Sequence, residues 1–239
     1  MPDAGSTLSR SQRIGVVGGG AMGVGIVYVF AAAQFPVWLI EPDDAHAGVA
    51  AQTLRDAAQA GVKRGKLNKA DAQRALANVR RRSSSLDLPE QLDLVIETVP
   101  ERFELKQKVL AEISSRRPAL IATNTSALSI DALASCVADA SSFLGMHFFN
   151  PVWSLPMVEI IRGAATSEAA LAHAQTFAEA IGKTTITVSD TPGFATSRLD
   201  LITSMEAIRM LQDGVASAED IDKAMGCRLS APDGTAAAQ

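Results

Sequence analysis

Two polar residues stand where a core would hold carbon. His147 follows the apolar run Phe143-Leu144-Gly145-Met146, and Glu159 interrupts Met157-Val158-Glu159-Ile160-Ile161 twelve residues later. Both runs read as buried strands. Burying a polar group without a partner costs roughly 2–7 kcal/mol, so the two side chains have a physical reason to meet. Paired, they form a proton-transfer dyad: the carboxylate fixes the imidazole tautomer and raises its basicity, and an unperturbed imidazole titrates near ~6.5. The competing reading is a core histidine bonded to backbone, with Glu159 on an exposed strand face. These residues alone leave both open. Asn150 and Pro151 follow His147-Phe148-Phe149 and end the strand.

A second group of residues points to a ligand beside that pair. Arg13-Ile14-Gly15-Val16-Val17 is a short β-branched run ending in Gly18-Gly19-Gly20-Ala21-Met22-Gly23, and Val24 to Ala33 reads as an apolar helix. This is G-x-G-x-x-G with a strand before and a helix after. Gly18 allows the tight turn, Gly20 lets a pyrophosphate approach the backbone, and Gly23 lets helix pack on strand. Ala21 and Met22 open the helix, whose N-terminal N–H groups and partial positive charge suit phosphate. Val37-Trp38-Leu39-Ile40 then reads as a buried strand closing in Glu41, about twenty residues beyond the glycines. A carboxylate there accepts hydrogen bonds from a ribose and repels a 2′-phosphate. Pro42 follows, and no arginine stands beside the acid in sequence. NAD rather than NADP is therefore the expected cofactor.

Strands and helical stretches alternate along the chain, which predicts an α/β protein with a Rossmann-type doubly wound sheet, followed by the start of an all-helical C-terminal domain. The expected boundaries are 12–189 for the NAD-binding domain, with a helical hairpin over about 43–78, and 190–225 for the helical part. Lys63, Arg64 and Lys66 cluster around Gly61 and Gly65 at the tip of that hairpin. They read as a solvated helix end or as a contact for a phosphate-bearing substrate. Leu92–Glu97 and Ala119–Ala122 read as further strands, with Glu104–Leu110 an amphipathic helix between them. Thr123-Asn124-Thr125-Ser126 lies where ligands bind in open α/β sheets, although Thr125 or Ser126 could instead cap the turn over Leu128–Leu133. A helix is predicted over Ser167–Ile181, ending at Gly182, and a strand over Thr184–Val188.

The chain has 239 residues, 47% hydrophobic and 5% aromatic, with a net charge of −4. That balance gives no general attraction to nucleic acid or to anionic lipid. No apolar run approaches the ~20 residues of a membrane span, and Met1-Pro2-Asp3-Ala4-Gly5 does not read as a signal segment, so a cytoplasmic protein is expected. Cys136 and Cys227 have neither metal nor redox spacing; no metal is expected.

Taken together, Gly18–Gly23, Val95-Ile96-Glu97-Thr98-Val99-Pro100-Glu101, Asn124-Thr125-Ser126, His147-Phe148-Phe149-Asn150-Pro151, Val158-Glu159 and Asp190-Thr191-Pro192-Gly193-Phe194 occur in the order found in the 3-hydroxyacyl-CoA dehydrogenases. The chain resembles that family over about residues 12–225, short-chain 3-hydroxybutyryl-CoA dehydrogenases included. The resemblance implies NAD-dependent interconversion of an (S)-3-hydroxyacyl-CoA and the 3-ketoacyl-CoA, with acyl-CoA as substrate. It implies that His147 takes the proton of the C3 hydroxyl and that Glu159 orients it. Ser126 would bond the reacting oxygen, and Asn150 would place the substrate carbonyls and nicotinamide. Glu101 and Lys106 would lie along the cofactor, and Glu41 would hold its adenosine ribose. Ser197 stands where relatives carry an asparagine, so that substrate contact is expected to be altered.

The end of the chain departs further. Arg198–Leu211 reads as an amphipathic helix with Leu199, Ile202, Met205, Ile208 and Leu211 on one face. Ser217 to Asp220 reads as the N-cap of another helix, expected to be cut short at Gly226, with 226–239 a disordered tail. Family members continue through helices that, by the resemblance, cover the substrate and form a homodimer; a chain largely without those helices is the expectation here. One permitted codon choice for Ala231 to Ala237, read from its second base, encodes the family hexapeptide His-Pro-Met-Gly-Pro-Leu. A one-nucleotide insertion near the Gly226 codon is the corresponding expectation. The function alternatives are a truncated NAD-binding protein without turnover and a dehydrogenase of a free hydroxy acid.

Overall fold

Short aliphatic runs, most of them buried on both faces, build one eight-stranded sheet among the described residues. The computed structural model describes residues 8–229, and the chain divides after Phe194 into two units. In the first unit the strands are β1 (Ile14–Val17), β2 (Val37–Ile40), β3 (Val79–Arg82), β4 (Leu94–Glu97), β5 (Ile121–Thr123), β6 (Phe143–Phe148), β7 (Met157–Arg162) and β8 (Thr184–Ser189). Their order is β3-β2-β1-β4-β5-β6-β7-β8, and every neighbouring pair is parallel except β6 with β7. Such a sheet is covered by helices on both faces, which explains strands without polar alternation.

The period of two along each strand divides the core in two. Ile14, Val16, Val37, Leu39, Leu94 and Ile96 face α1 (Ala21–Ala32), α2 (Asp44–Lys63), α3 (Lys69–Ala77) and α6 (Glu168–Ala180). Val17, Trp38, Ile40 and Val95 face α4 (Phe103–Ser115) and α5 (Ile130–Ala134). Phe30, Phe35 and Phe177 pack edge to face on the first side, with centroids 5.8–6.4 Å apart. The helices begin where the sequence supplies caps: Asp43 for α2, Asn68 for α3, Ser129 for α5 and Ser167 for α6. Ser129 thus caps the helix after β5, while the Thr125 hydroxyl accepts from Leu128 N at 2.9 Å in the turn just before it. Gly182, at φ +74°, follows α6. No described helix is long and apolar enough to cross a membrane.

Strand β3 lies outside the elements expected from sequence. Its Val-Arg-Arg-Arg run carries too many charges to read as a strand, yet it forms the sheet edge, where charge is tolerated. Arg80 lies over the Trp38 ring at 5.1 Å. In the second unit, α7 (Thr196–Gln212) exposes Leu199, Ile202, Met205, Ile208 and Leu211. Helix α8 (Ala218–Leu229) begins at Ser217, whose hydroxyl accepts from Asp220 N at 3.2 Å. Contrary to expectation, it does not stop at Gly226 but runs on to Leu229. A single helical glycine costs only about 1 kcal/mol relative to alanine. The rest of the expected tail, residues 230–239, lies outside the described residues.

Helix α1 approaches the turn after β6 most closely at Gly25, where a Cβ would lie 2.7 Å from Val152 Cγ2. Gly25→Ala gains about 1 kcal/mol of helix propensity but overpacks a buried contact at a cost of ~1–3 kcal/mol. A net loss of stability is expected in urea unfolding; an unchanged or raised midpoint would show that the contact relaxes freely.

Candidate active site

Within the first unit, the polar residues singled out by sequence lie at or near the carboxyl ends of the parallel strands, the ligand edge of an open α/β sheet. After β1 the chain turns at Gly18, whose φ of +113° favours glycine. Its N–H donates to Ile40 O at 2.9 Å, and Thr98 Oγ1 donates to Gly18 O at 3.0 Å. At Gly23 a Cβ would lie 1.8 Å from Gly18 O, so the turn closes only with glycine there. A Cβ at Gly20 would meet nothing within 4 Å; that space is open to a ligand. Helix α1 has no side-chain cap, leaving its first-turn N–H groups for an anion. Gly18–Met22, Glu41, Glu101, Asn124 and Ser126 line a crevice of about 850 Å³. These features fit a dinucleotide.

Glu41 ends β2, with Oε2 accepting from Gly19 N at 2.9 Å and Oε1 from Asp43 N at 3.1 Å. The carboxylate is thus fixed to the glycine turn itself. In space an arginine does stand beside it. Arg81, arriving from β3, donates to Glu41 O at 2.9 and 2.7 Å and pairs with Asp44 at 2.7 Å. The sequence spacing hid this neighbour, but its guanidinium is taken up by the Glu41 carbonyl and Asp44.

Behind the crevice lies a network that the sequence reading missed. Glu97, wholly buried at the end of β4, accepts from Lys106 Nζ at 2.9 and 3.1 Å, from Thr123 Oγ1 at 2.6 Å and from Val99 N at 2.7 Å. Lys106 is 1% exposed and reaches Glu101 at 3.3 Å. It therefore sits under the crevice and touches Glu101, whereas Leu105 and Lys108 form the wall. Glu101 Oε1 accepts from Ser126 N at 3.0 Å, Ala127 N at 3.3 Å and the Thr125 hydroxyl. Burial pushes the Glu101 carboxyl up. The Thr125 hydroxyl, the Lys106 charge and the Ser126 N–H outweigh it and hold the group below the usual carboxylate range.

His147 and Glu159 are register partners across the antiparallel β6–β7 pair. Their side chains are 8% and 0% exposed, and His147 Nδ1 lies 2.8 Å from Glu159 Oε2. Phe149 packs on the imidazole at 4.6 Å and Phe194 at 5.9 Å. Asn124, a crevice residue, accepts from Phe148 N at 2.8 Å and so ties the end of β6 to the crevice wall. His147 does not itself line the crevice. Asn150 is exposed and lines a smaller cavity of about 390 Å³ with Gly19, Gly20, Ala21 and Glu41. Ser126 is exposed at the larger one. Ser197 lies in the first turn of α7, in the second unit.

The depressed Glu101 carboxyl gives a pH signature. A carboxylate held below its unfolded range contributes stability that is complete above that range and is lost as pH falls through the folded value. Amide exchange at Ser126 and Ala127, taken relative to the intrinsic rate at each pH, is expected to accelerate on acidification below the usual carboxylate range. Glu101→Gln should remove that acceleration; persistence of the full effect in the variant would reassign it.

Two family descriptions fit the sequence. The NAD-binding domain of 3-hydroxyacyl-CoA dehydrogenase matches residues 13–191, and the C-terminal domain of that enzyme matches residues 193–238. The chain is 37% identical to a 3-hydroxybutyryl-CoA dehydrogenase of Mycobacterium tuberculosis over 227 residues, covering 93% of this chain and 79% of the relative. It is 34% identical to a probable 3-hydroxyacyl-CoA dehydrogenase of Caenorhabditis elegans, covering 91% and 73%. The crystal structure of (S)-3-hydroxybutyryl-CoA dehydrogenase from Ralstonia eutropha matches with a TM-score of 0.83 at 36% identity, covering 93% and 79%. The domain that forms the crevice at the strand ends is thus an NAD-binding domain, and the chain belongs to the 3-hydroxyacyl-CoA dehydrogenase family.

Proposed function

We propose that the chain interconverts an (S)-3-hydroxyacyl-CoA and the 3-ketoacyl-CoA with NAD, using His147 as the base and Glu159 as its orienting acid. The observation that carries this reading is the buried 2.8 Å contact between His147 Nδ1 and Glu159 Oε2. With Nδ1–H donated to the carboxylate, Nε2 keeps its lone pair and can take the proton of an alcohol. Glu159 then stabilises the imidazolium, as an acid does behind a catalytic histidine elsewhere. Bound NAD supplies the hydride acceptor. Ser126 and Asn150 supply hydrogen bonds for the reacting oxygen and the substrate carbonyl, and Ser197 a hydroxyl for the substrate. Glu41 would hold the ribose; Glu101, braced by Lys106, would flank the cofactor.

Acyl-CoA as the substrate is supported by a separate cavity of about 590 Å³. Arg10, Arg64 and Lys66 line it together with Tyr28 and Trp153. Three cations around an aromatic wall suit the phosphates and adenine of CoA. The tip of the α2–α3 hairpin thus reads as a phosphate contact. The apolar residues exposed on α7 favour a second reading, an NAD-binding chain without turnover.

Oxidation of NADH with acetoacetyl-CoA, run beside an NAD titration, separates these. Turnover supports the dehydrogenase. Binding without turnover supports the second reading, and turnover only with a free 3-oxo acid would move the substrate class. Positioned general-base catalysis is typically worth ~10²–10⁴-fold. His147→Gln is therefore expected to lower kcat by at least about 10² with NAD affinity nearly unchanged. A variant retaining full activity would remove His147 from the chemistry.

A further inference from the structure

Lys183 is a buried cation that no step above uses. It follows Gly182 at the end of α6, is 7% exposed, and donates from Nζ to Val152 O and Leu155 O. Among the described residues no acid is paired with it, and burial alone pushes its ammonium below the usual lysine range. An ion held only by backbone dipoles is costly to bury. Its two acceptors belong to one turn, closed by Ser154 N and Leu155 N on Pro151 O at 2.9 and 3.1 Å.

That turn borders both cavities. Asn150 precedes it and lines the cavity shared with Gly19, Gly20 and Glu41, while Trp153 and Ser154 form a wall of the basic cavity. Two apolar contacts hold its α1 side: Val152 against Gly25, and Trp153 edge-on to Tyr28 at 5.9 Å. Neither fixes the direction of the backbone. The Val152 and Leu155 carbonyls do, because hydrogen bonds to a cation are directional and roughly twice as strong as neutral ones. The structure assigns Lys183 as a positioning residue: its ammonium orients the 150–155 turn, and through it Asn150 at the cofactor side and Trp153 at the basic cavity. The kinetic consequence rests on the dehydrogenase reading; the structural one does not.

Lys183→Met keeps the stem and removes the donors, and Lys183→Arg restores charge and donors. In the full chain, Lys183→Met is expected to lower kcat with acetoacetyl-CoA by about ten- to a hundredfold, the scale of an ångström of misplacement, and to raise the KM for acetoacetyl-CoA. The NADH dissociation constant should stay within about twofold, and Lys183→Arg should recover part of kcat. Independently of turnover, the turn is read by Trp153 fluorescence in a Trp38→Phe background, Trp153 being then the only tryptophan. Acrylamide quenching should rise in Lys183→Met and fall back in Lys183→Arg. Unchanged quenching would overturn the proposal. So would loss of NADH affinity in step with thermal stability, the mark of a merely structural role. If wild type shows no turnover, the dehydrogenase reading fails and quenching alone decides on Lys183. If Lys183→Met does not fold, Lys183→Gln, which keeps a neutral donor, is read by the same quenching, with an intermediate rise expected and no rise counting against the proposal.

Discussion

A carboxylate is held in place, and can be kept out of water, when cations or several N–H and O–H donors close around it; three carboxylates at the ligand edge of this sheet are held in this way, Glu97 and Glu159 buried and Glu101 partly open to solvent. Glu97 has Lys106, Thr123 and the Val99 N–H. Glu101 has Lys106, Thr125 and two backbone N–H groups. Glu159 has His147. Lys106 belongs to two of the three, so the strand end of β4 and the loop after β5 are held by one ammonium. The crevice is consequently lined by groups whose positions are set from behind, by Glu97, Lys106, Thr123 and Thr125, none of which lines it.

This explains why the site was unevenly legible. The glycine turn, Glu41 and the placement of His147 opposite Glu159 could be read because each depends on local pattern: a motif between two apolar runs, an acid closing a strand, one polar residue in each of two neighbouring strands. Thr98 and Glu97 could not, since their partners lie 80 and 26 residues away across the sheet. Lys106 is marked only through the resemblance, as a residue along the cofactor; the residue pattern itself shows a charge on an amphipathic helix, and its burial depends on an acid that itself reads as a strand end. The edge strand β3 was hidden for the same reason: Arg80 and Arg81 are accommodated by Trp38 on β2 and by Glu41 just after it. Its arginines gave no local strand signal.

Close approach is the second theme. Gly23 against Gly18, and Gly25 against Val152, bring α1 near enough to touch both the turn before it and the turn after β6. The helix that offers its N-terminus to an anion is therefore also the surface on which the Asn150 segment rests. The glycine turn and the Asn150 segment thus share one rigid element, and Asn150 and Gly20 face a common cavity.

The reversal of direction between β6 and β7 has its own implication for how this protein can change. Because pairing register brings His147 and Glu159 side by side, sliding one strand by a single residue would send the acid to the opposite face, among Met146 and Phe148. The segment from 149 to 156 carries a separate constraint, the bonds of Lys183 to its Val152 and Leu155 carbonyls. The phase of the two strands and the path of the connection between them are therefore held by different contacts, and a change in one need not disturb the other.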